Sequence, residues 1–150
     1  MGGVVRSPGI VDFAHNALSV RNLLGVLRSY YNGRIICVLS CTDSLRMRRA
    51  PVGETVGELA DLTVITSFTS ERTQSEDVFE DILEGMKKTS GRYTVIADRR
   101  DAIKYALSVA EHDDVVVINA KGTYRDNKFD ENWLAMPDDF DLLREIFRSM

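Results

Sequence analysis

Three side chains that could bind a ligand, Asp12, His15 and Asn16, stand together at the end of an apolar run. A carboxylate, an imidazole and a carboxamide at this spacing could hydrogen-bond to the hydroxyl or phosphate groups of a ligand. The run 10–14 predicts a buried β-strand, and the segment after it predicts a helix. Ligands of α/β proteins bind at the carboxyl ends of the strands, so this strand tip is the first candidate site. On chemistry alone a second interpretation of His15 is slightly favoured, a polar helix-start residue bonded to neighbouring backbone.

The two cysteines and the second histidine are better explained as structural or solvent-exposed residues. Cys37 and Cys41 have no histidine or cysteine partner at zinc-like spacing, and we interpret them as reduced thiols packed in and beside a strand. His112 falls in a helix-to-strand turn, at the edge of the sheet opposite the strand tips, where we expect it to be exposed to solvent.

The composition is that of an ordinary globular domain. The 150 residues are 44% apolar and 28% charged with a net charge of −4, which argues against a nucleic-acid partner. No apolar run approaches the ~20 residues needed to span a bilayer, and the N-terminus lacks the core of a signal peptide. We therefore expect a cytoplasmic protein with no membrane partner. The motifs G-x-x-x-x-G-K-[ST], G-x-G-x-x-G, H-E-x-x-H and G-x-S-x-G are absent, so the sequence holds no standard phosphate-binding loop.

Apolar periodicity alternates between strand and helix along the chain. Strands are predicted at 10–14, 35–39, 62–66, 93–97 and 115–118, and helices at about 17–31, from Pro51, at about 76–89, at about 99–111 and from Asp138. Gly33 is expected to close the first helix in a left-handed conformation. The alternation predicts an α/β fold, a Rossmann-like three-layer sandwich with a mostly parallel sheet of five or six strands and helices on both faces. We expect a lead-in over 1–9 and one domain over 10–150.

Polar segments follow all five predicted strands and should open on one edge of the sheet, which makes that edge the default binding surface. These segments cover 12–16, 40–50, 67–73, 98–100 and 119–125. The second of them contains an arginine cluster, Arg46, Arg48 and Arg49. Such a cluster could bind a phosphate or a carboxylate, although a solvated loop is the simpler interpretation.

Several segments resemble, in order and spacing, the C-terminal glutamate-ligase-type domain of the Mur ligases, the ATP-dependent amino-acid ligases of peptidoglycan synthesis. Residues 11–16, V-D-F-A-H-N, resemble the D-Y-A-H-N/T-P signature that opens that domain. Within the family the similarity is to UDP-N-acetylmuramoyl-tripeptide synthetase, which adds the third amino acid of the stem peptide. Further similar segments lie at 33–38, 53–67, 80–85, 98–103 and 120–122.

The polar motifs of the family are altered in this chain. The family's G-C-G-G-D-R corresponds to 40–45, S-C-T-D-S-L, which lacks the glycines that let backbone approach a ligand. The family's D-N-P-R, which holds the amino acid, corresponds to 68–71, F-T-S-E, followed by Arg72. The family's K-G-H-E corresponds to 121–124, K-G-T-Y. Degenerate motifs on an intact apolar framework indicate a retained fold with a changed or abandoned site.

The resemblance implies one domain of a three-domain ligase, in which a UDP-sugar-binding domain and an ATPase domain use ATP and Mg²⁺. No catalytic residue and no metal ligand is assigned to this domain. Without a phosphate loop, the 150 residues are not expected to be catalytic alone or to bind ATP tightly. Two sets of contact residues are implied, Asp12, His15 and Asn16 for the nucleotide, and Arg72, Lys121, Gly122 and Tyr124 for the amino acid.

Two other functions stay open. A stand-alone, non-catalytic module could dock on a partner ligase or sense a nucleotide or amino acid, and the altered motifs favour it. A structural domain of a larger cell-wall assembly could use Phe129 and Trp133 as an exposed contact, although aromatic residues in a long loop more often anchor that loop to the core. The sequence is compatible with an excised piece of a longer ligase and with a naturally short relative.

Overall fold

The computed structural model describes residues 9–12, 16–42, 45–68, 74–119 and 139–149. Within these ranges the helices are α1 Ala17–Tyr30, α2 Arg49–Leu59, α3 Glu76–Met86, α4 Arg99–Val109 and α5 Asp139–Ser149, with a short 3-10 turn at Arg46–Arg48 before α2. The strands are β1 Gly9–Asp12, β2 Ile35–Leu39, β3 Leu62–Ile65, β4 Arg92–Val95 and β5 Val115–Asn119.

The five strands form one sheet in the order β1-β5-β2-β3-β4, and every pair of neighbours is parallel. Consecutive strands β2, β3 and β4 lie side by side, whereas β5 returns across the sheet to insert between β1 and β2. All carboxyl ends of the strands therefore face the same edge, as the strand–helix alternation predicts. The prediction of an α/β fold with a parallel sheet is confirmed.

Helices cover both faces of the sheet, because successive side chains of each strand point to opposite faces. In β2, Ile35, Cys37 and Leu39 pack in one core with α1, α2 and α3. Ile36 and Val38 pack in a second core with α4 and α5. Both β2 and β5 are buried along their whole length, which explains why each reads as a continuous apolar run.

Glycines allow α2 and α3 to approach closely. A Cβ atom at Gly53 of α2 would overlap the carbonyl oxygen of Ile82, and one at Gly85 of α3 would overlap the carbonyl oxygen of Ala50. Both obstacles are backbone atoms, so a larger residue would force the two helices apart. The segment 53–67, which resembles the Mur ligases, thus begins with a glycine that the contact between α2 and α3 requires.

Several predicted boundaries differ from the structure. Helix α2 begins at Arg49 and not at Pro51, since a proline in the first turn needs no intrahelical donor. Helix α3 ends at Met86, and the lysines after it form a turn. The expectation for Gly33 is wrong: it is not left-handed, and its small size is needed because the backbone of Asp113 lies against it.

The described helices include none that is both long and apolar enough to cross a membrane.

Candidate functional site

The candidate site begins at the end of β1 and the start of α1. Asp12 is the last residue of β1, and its backbone pairs with that of Asn119 in β5. The side-chain oxygen of Asn16 accepts a hydrogen bond of 2.9 Å from the backbone N–H of Ser19. Asn16 therefore caps α1, a role that its position before an apolar helix could have revealed. His15, between these two residues, lies outside the described part of the chain.

Below the edge, a fully buried arginine joins the ends of β2 and β3. Arg99, in the first turn of α4, donates from Nη1 to Ser40 Oγ at 3.0 Å and to the carbonyl oxygen of Ser67 at 3.1 Å. Ser40 Oγ in turn donates to the carbonyl oxygen of Asn119 at 3.2 Å. One side chain thus connects β2, β3 and, through Ser40, β5. The sequence analysis assigned Arg99 no role, because an arginine at a helix start is ordinarily exposed.

A buried glutamine closes the segment that follows β3. Gln74 Oε1 accepts from the backbone N–H of Phe68 at 3.0 Å, and the backbone N–H of Gln74 donates to Ser67 Oγ at 3.0 Å. Gln74 Nε2 also donates to the carbonyl oxygen of Cys41 at 2.9 Å, which ties this segment to the one after β2. The ends of the segment are therefore fixed by buried hydrogen bonds. Arg72, the predicted amino-acid contact, lies within 69–73, outside the described residues.

Two arginines of the cluster after β2, Arg46 and Arg49, are paired with acidic residues of α3. Arg46 donates to Asp81 from two nitrogens, at 2.7 and 3.2 Å, and Arg49 donates to Asp81 at 2.9 Å and lies 3.4 Å from Asp77. Only 4% of the Arg49 side chain is exposed, so the solvated-loop interpretation is wrong for this residue. The hydrogen bond from Arg46 lowers the pKa of Asp81, which outweighs the opposing effect of desolvation. These ion pairs join α2 and the 3-10 turn before it to α3, and they engage positive charge that a bound anion would need.

The two thiols behave as packed core groups. Cys37 and Cys41 are both buried and free, and burial raises the pKa of each to about 12. A thiol with so high a pKa stays protonated near neutral pH and is a poor nucleophile. The interpretation of both as structural residues agrees with this geometry.

At the opposite edge, where the strands begin, the charged residues are paired with one another. Arg34 and Asp114 are joined at 2.7 Å, and Arg28 and Asp61 at 2.8 Å, around an open depression of about 560 Å³. Burial would raise the pKa of Asp114, but hydrogen bonds from Arg34 and from backbone lower it overall. The His112 side chain is 75% exposed, as predicted.

Three of the predicted contact residues, Lys121, Gly122 and Tyr124, lie in 120–138, beyond the described part of the chain. Phe129 and Trp133 lie there as well. Within the ranges that are described, no group of three histidine, cysteine or acidic residues could hold a metal ion. What the structure brings together at the candidate edge is therefore Asp12, Asn16, Ser40, Ser67, Gln74, Arg99 and Asn119.

Comparisons with known proteins agree on the family. The family model for the Mur ligase, glutamate ligase domain, matches residues 4–122. A UDP-N-acetylmuramoyl-L-alanyl-D-glutamate–2,6-diaminopimelate ligase of Alkaliphilus metalliredigens is 37% identical over 144 residues, which is 93% of this chain and 28% of the relative. The enzyme of the same name from Caldanaerobacter subterraneus subsp. tengcongensis is 39% identical over 113 residues, 75% of this chain and 23% of the relative.

Solved structures give the same assignment. A UDP-N-acetylmuramoyl-L-alanyl-D-glutamate–2,6-diaminopimelate ligase matches with a TM-score of 0.77 and 26% identity, over 94% of this chain and 29% of that one. The FolC protein of E. coli, solved with ADP, matches with a TM-score of 0.58 at 22% identity over 78% of this chain and 27% of FolC, which shows a common fold. The chain thus spans about a quarter of the length of the relatives it matches. It belongs to the Mur ligase family, as a glutamate ligase domain related to the peptidoglycan precursor ligases.

Proposed function

We propose that this chain is the C-terminal nucleotide- and amino-acid-binding domain of an ATP-dependent Mur-type peptide ligase, formed by residues 10–150 after a short lead-in. It would act in the cytoplasm, in the synthesis of a peptidoglycan precursor. The observation that carries this proposal is the buried polar framework below the candidate edge, centred on Arg99 and Gln74. Burying an arginine and a glutamine costs free energy unless each is well bonded. Its place at the carboxyl ends of the strands, where α/β proteins bind ligands, supports a binding edge.

In this proposal the nucleotide meets the β1–α1 junction. Asp12, His15 and Asn16 are the proposed contacts, and Asn16 lies at the N-terminus of α1. The described residues offer no ligand set for Mg²⁺ and the sequence no phosphate loop, so they fit a contact with the nucleoside part of ATP better than a triphosphate cradle. The phosphates and Mg²⁺ would be held by an ATPase domain, which supplies the activation chemistry. This domain would position the second substrate.

The amino acid would bind the segments after β3 and β5. Arg72, Lys121, Gly122 and Tyr124 are the proposed contacts. The relatives are named as 2,6-diaminopimelate ligases. With Glu71 at the position of the family's arginine, and Thr123-Tyr124 replacing its histidine and glutamate, we propose a different amino acid for this chain. Removing a carboxylate and reversing a charge both disfavour a substrate that presents a second amino group and a carboxylate there.

The test is titration of the ¹⁵N-labelled chain, followed by NMR, with ADP and then with a panel of amino acids that includes 2,6-diaminopimelate. We expect ADP to shift resonances at Asp12 and Asn16, and one amino acid of the panel to shift those of Ser67, Phe68 and Gln74. The variant Gly25→Ala, on the exposed side of α1 with no atom within 4 Å of the new Cβ, serves as the unaffected control. A folded chain that responds to neither class at 10 mM would rule out the proposal.

A second candidate is a non-catalytic module that docks on a partner ligase. The pairing of Arg46 and Arg49 with acidic residues of α3 favours it, because that charge is engaged within the domain itself. Here the same titration would show no response, whereas calorimetry would show the chain binding to a complete Mur ligase. Catalysis by the chain alone is expected in neither case, which an assay for ADP release from ATP would verify.

A further inference from the structure

The last strand in the order of the sheet, β4, has an open side, the side that faces away from β3. In the described part of the chain β4 is paired only with β3. An unpaired strand offers a row of backbone donors and acceptors that another strand can join, and proteins often protect it with lysine or proline. The sequence of β4, R-Y-T-V, contains neither, and its last three residues are of types that favour strands.

Apolar side chains beside this open side are incompletely covered. Tyr93 and Val95 lie opposite Thr63 and Ile65 of β3, and Ile65 belongs to the core that contains α3. Ile65 is completely buried, whereas Tyr93 and Val95 are each 40% exposed. The core on this face of the sheet therefore ends at β4, and it leaves an apolar strip that a further strand would cover.

The hydrogen bonds to β3 determine which backbone groups of β4 point outward. The N–H of Ile96 donates to the carbonyl oxygen of Ile65, so it points toward β3. Backbone groups alternate in direction along a strand, so those of Thr94 also point toward β3 and those of Tyr93 and Val95 point away from it. The outward-pointing backbone groups and the exposed apolar side chains thus belong to the same two residues.

These two residues are complementary to a second copy of themselves. In an antiparallel pair of strands, two residues that lie opposite each other can exchange both of their backbone hydrogen bonds. If Tyr93 lies opposite Val95 of a second copy, two-fold symmetry also places Val95 opposite the second Tyr93. All the outward-pointing groups are then bonded, and both cross-strand contacts join an aromatic to a β-branched side chain, a favourable combination.

The charges beside the open side of β4 are separated by sign. Basic residues lie where β4 begins and acidic residues lie where it ends, and each is exposed with no ion pair to the described residues: Lys87, Lys88 and Arg92, and Glu76, Glu80 and Asp98. In an antiparallel arrangement the start of one β4 lies beside the end of the other, so opposite charges meet. A parallel arrangement would bring like charges together, which is unfavourable.

The acidic residues of α3 fit this pattern by their direction. Asp77 and Asp81 pair with Arg49 of α2. Glu76 and Glu80 each precede one of these two residues, so they are turned about 100° from the α2 side of the helix and remain exposed. Because α3 begins after β3 and ends before β4, both glutamates lie near the carboxyl ends of the strands.

We propose that two copies of this chain associate through β4, with the two strands antiparallel and Tyr93 of each opposite Val95 of the other. The described five-stranded sheets would then continue into each other across a two-fold axis. The contact consists of one strand pair and its flanking charges, so we expect a weak, reversible dimer with a dissociation constant in the micromolar range. This inference is independent of the ligand in the proposed function.

The first test is sedimentation velocity of the whole chain from about 5 µM to about 1 mM, a range that spans a weak dissociation constant. The average mass of wild type should rise from 16.9 kDa toward twice that value. Val95→Lys places a charge at the contact, and Arg92→Glu brings it beside Asp98 of the second copy. Each should raise the dissociation constant about tenfold, because two-fold symmetry counts every change twice. Lys104→Glu, the same change of charge on the α5 side of α4, is the control and should leave it unchanged.

The second test fixes the register. In the proposed arrangement Thr94 lies opposite Thr94 of the second copy in a pair without backbone hydrogen bonds, with Cα atoms about 4.5 Å apart, which a disulfide can span. Thr94→Cys should therefore form a covalent dimer on mild oxidation. The native Cys37 and Cys41 are buried and should not compete. Ser108→Cys, which is exposed on α4, is the control and should remain monomeric under the same oxidation.

Two outcomes would overturn the inference. If wild type keeps the monomer mass over the whole concentration range, the open side of β4 does not bind a second copy. If wild type dimerises while Val95→Lys and Arg92→Glu leave the dissociation constant unchanged, the copies associate through a different surface. Should Val95→Lys fail to fold, as circular dichroism would show, Arg92→Glu and Thr94→Cys decide the question.

Discussion

At the edge where β2 and β5 begin, Arg34 donates to the carboxylate of Asp114. At the edge where β2 and β3 end, Arg99 donates to the hydroxyl of Ser40 and the carbonyl of Ser67. Asp114 accepts four hydrogen bonds, from the N–H, Nε and Nη2 of Arg34 and from the N–H of Glu111. At that edge the carboxylate of Asp114 is fully engaged by an ion pair and backbone hydrogen bonds. At the other edge Arg99 donates to neutral groups, and among the described residues the side chain of Asn119 has no hydrogen-bond partner.

The difference bears on the proposal that one edge of the sheet supports stability while the other binds a ligand. A carboxylate that accepts four hydrogen bonds, three of them from an arginine, has its hydrogen-bonding capacity satisfied within the protein. Buried polar groups that are bonded at their base and incomplete at their tip are typical of a surface that receives a ligand. In the proposed function the two edges have different tasks, and we expect substitutions at each edge to have different consequences.

The largest effect is expected from a substitution in the helix packing that supports both edges of the sheet. In Gly85→Ala the added Cβ would overlap the Ala50 carbonyl oxygen and lie 2.7 Å from the backbone nitrogen of Glu54. Because neither backbone atom can rotate away, α2 and α3 must separate, and we expect a loss of about 3 kcal/mol in the free energy of unfolding. Urea denaturation measures it.

The matched control for Gly85→Ala is Gly25→Ala in α1, where nothing lies within 4 Å of the new Cβ. It should gain about 0.5–1 kcal/mol, because alanine is the better helix former. Equal losses in both variants would show that helix α1 is not open at Gly25, or that the α2–α3 contact is looser than described.

Arg99→Met should act mainly on the edge where the strands end. It removes the donor that joins Ser40 to Ser67 and leaves both without that bond, at an expected cost of about 2–3 kcal/mol. Hydrogen exchange should accelerate at Ser67, Phe68 and Gln74, while the backbone amides of Arg34 and Glu111 at the opposite edge keep their protection. Uniform acceleration at both edges would contradict the separation.

Asp114→Asn tests the edge where the strands begin, and its effect on stability should depend on pH. The pKa of Asp114 is lower in the folded chain than in the unfolded chain, where it is about 4. Its contribution is therefore fully present above about pH 4 and is lost as the pH falls through the folded-state pKa. At pH 7 we expect the variant to be about 1–2 kcal/mol less stable than wild type, with the partly exposed Arg34 limiting the effect.

The measurement for Asp114→Asn is the thermal midpoint from pH 7 to pH 2. The difference between variant and wild type should shrink below pH 4, although Asp77 and Asp81, whose pKa values are also lowered, leave wild type with some acid sensitivity of its own. The neighbouring Asp113→Asn is the control, because 74% of that side chain is exposed. A constant difference across the range would show that Asp114 acts through hydrogen bonding independent of its charge.

The framework could be predicted from the sequence because it depends on local pattern. The apolar runs 35–39 and 115–118 predict strands buried on both faces, and α1 has an asparagine cap before a periodic apolar stripe. The ion pairs of Arg46 and Arg49 could not be predicted, because they require knowing that α3 packs beside α2. Burial of Arg99 depends likewise on the neighbouring strand ends.

Asn119 shows the same limit at the level of one residue. The sequence placed it at the start of a polar segment, whereas the structure makes it the last residue of β5, with a buried side chain. The sequence pattern locates the end of a strand to within one or two residues. A shift of one residue at that end decides whether a polar side chain is buried in the sheet or exposed in the loop. The contacts proposed for His15, Arg72, Lys121, Gly122 and Tyr124 stay predictions.

The smallest expected effect concerns strain at the edge where the strands end. Leu45 has a φ of 56°, in the left-handed region that disfavours side chains with a Cβ. Leu45→Gly should raise the free energy of unfolding by about 0.5–1 kcal/mol, since relief of this strain exceeds the added entropy of the unfolded chain. Met47→Gly is the control: it is more exposed, lies in the 3-10 turn, and should lose a similar amount. If both variants lose stability, Leu45 is held in place by contacts that outweigh the strain, and this segment is as closed as the edge at Asp114.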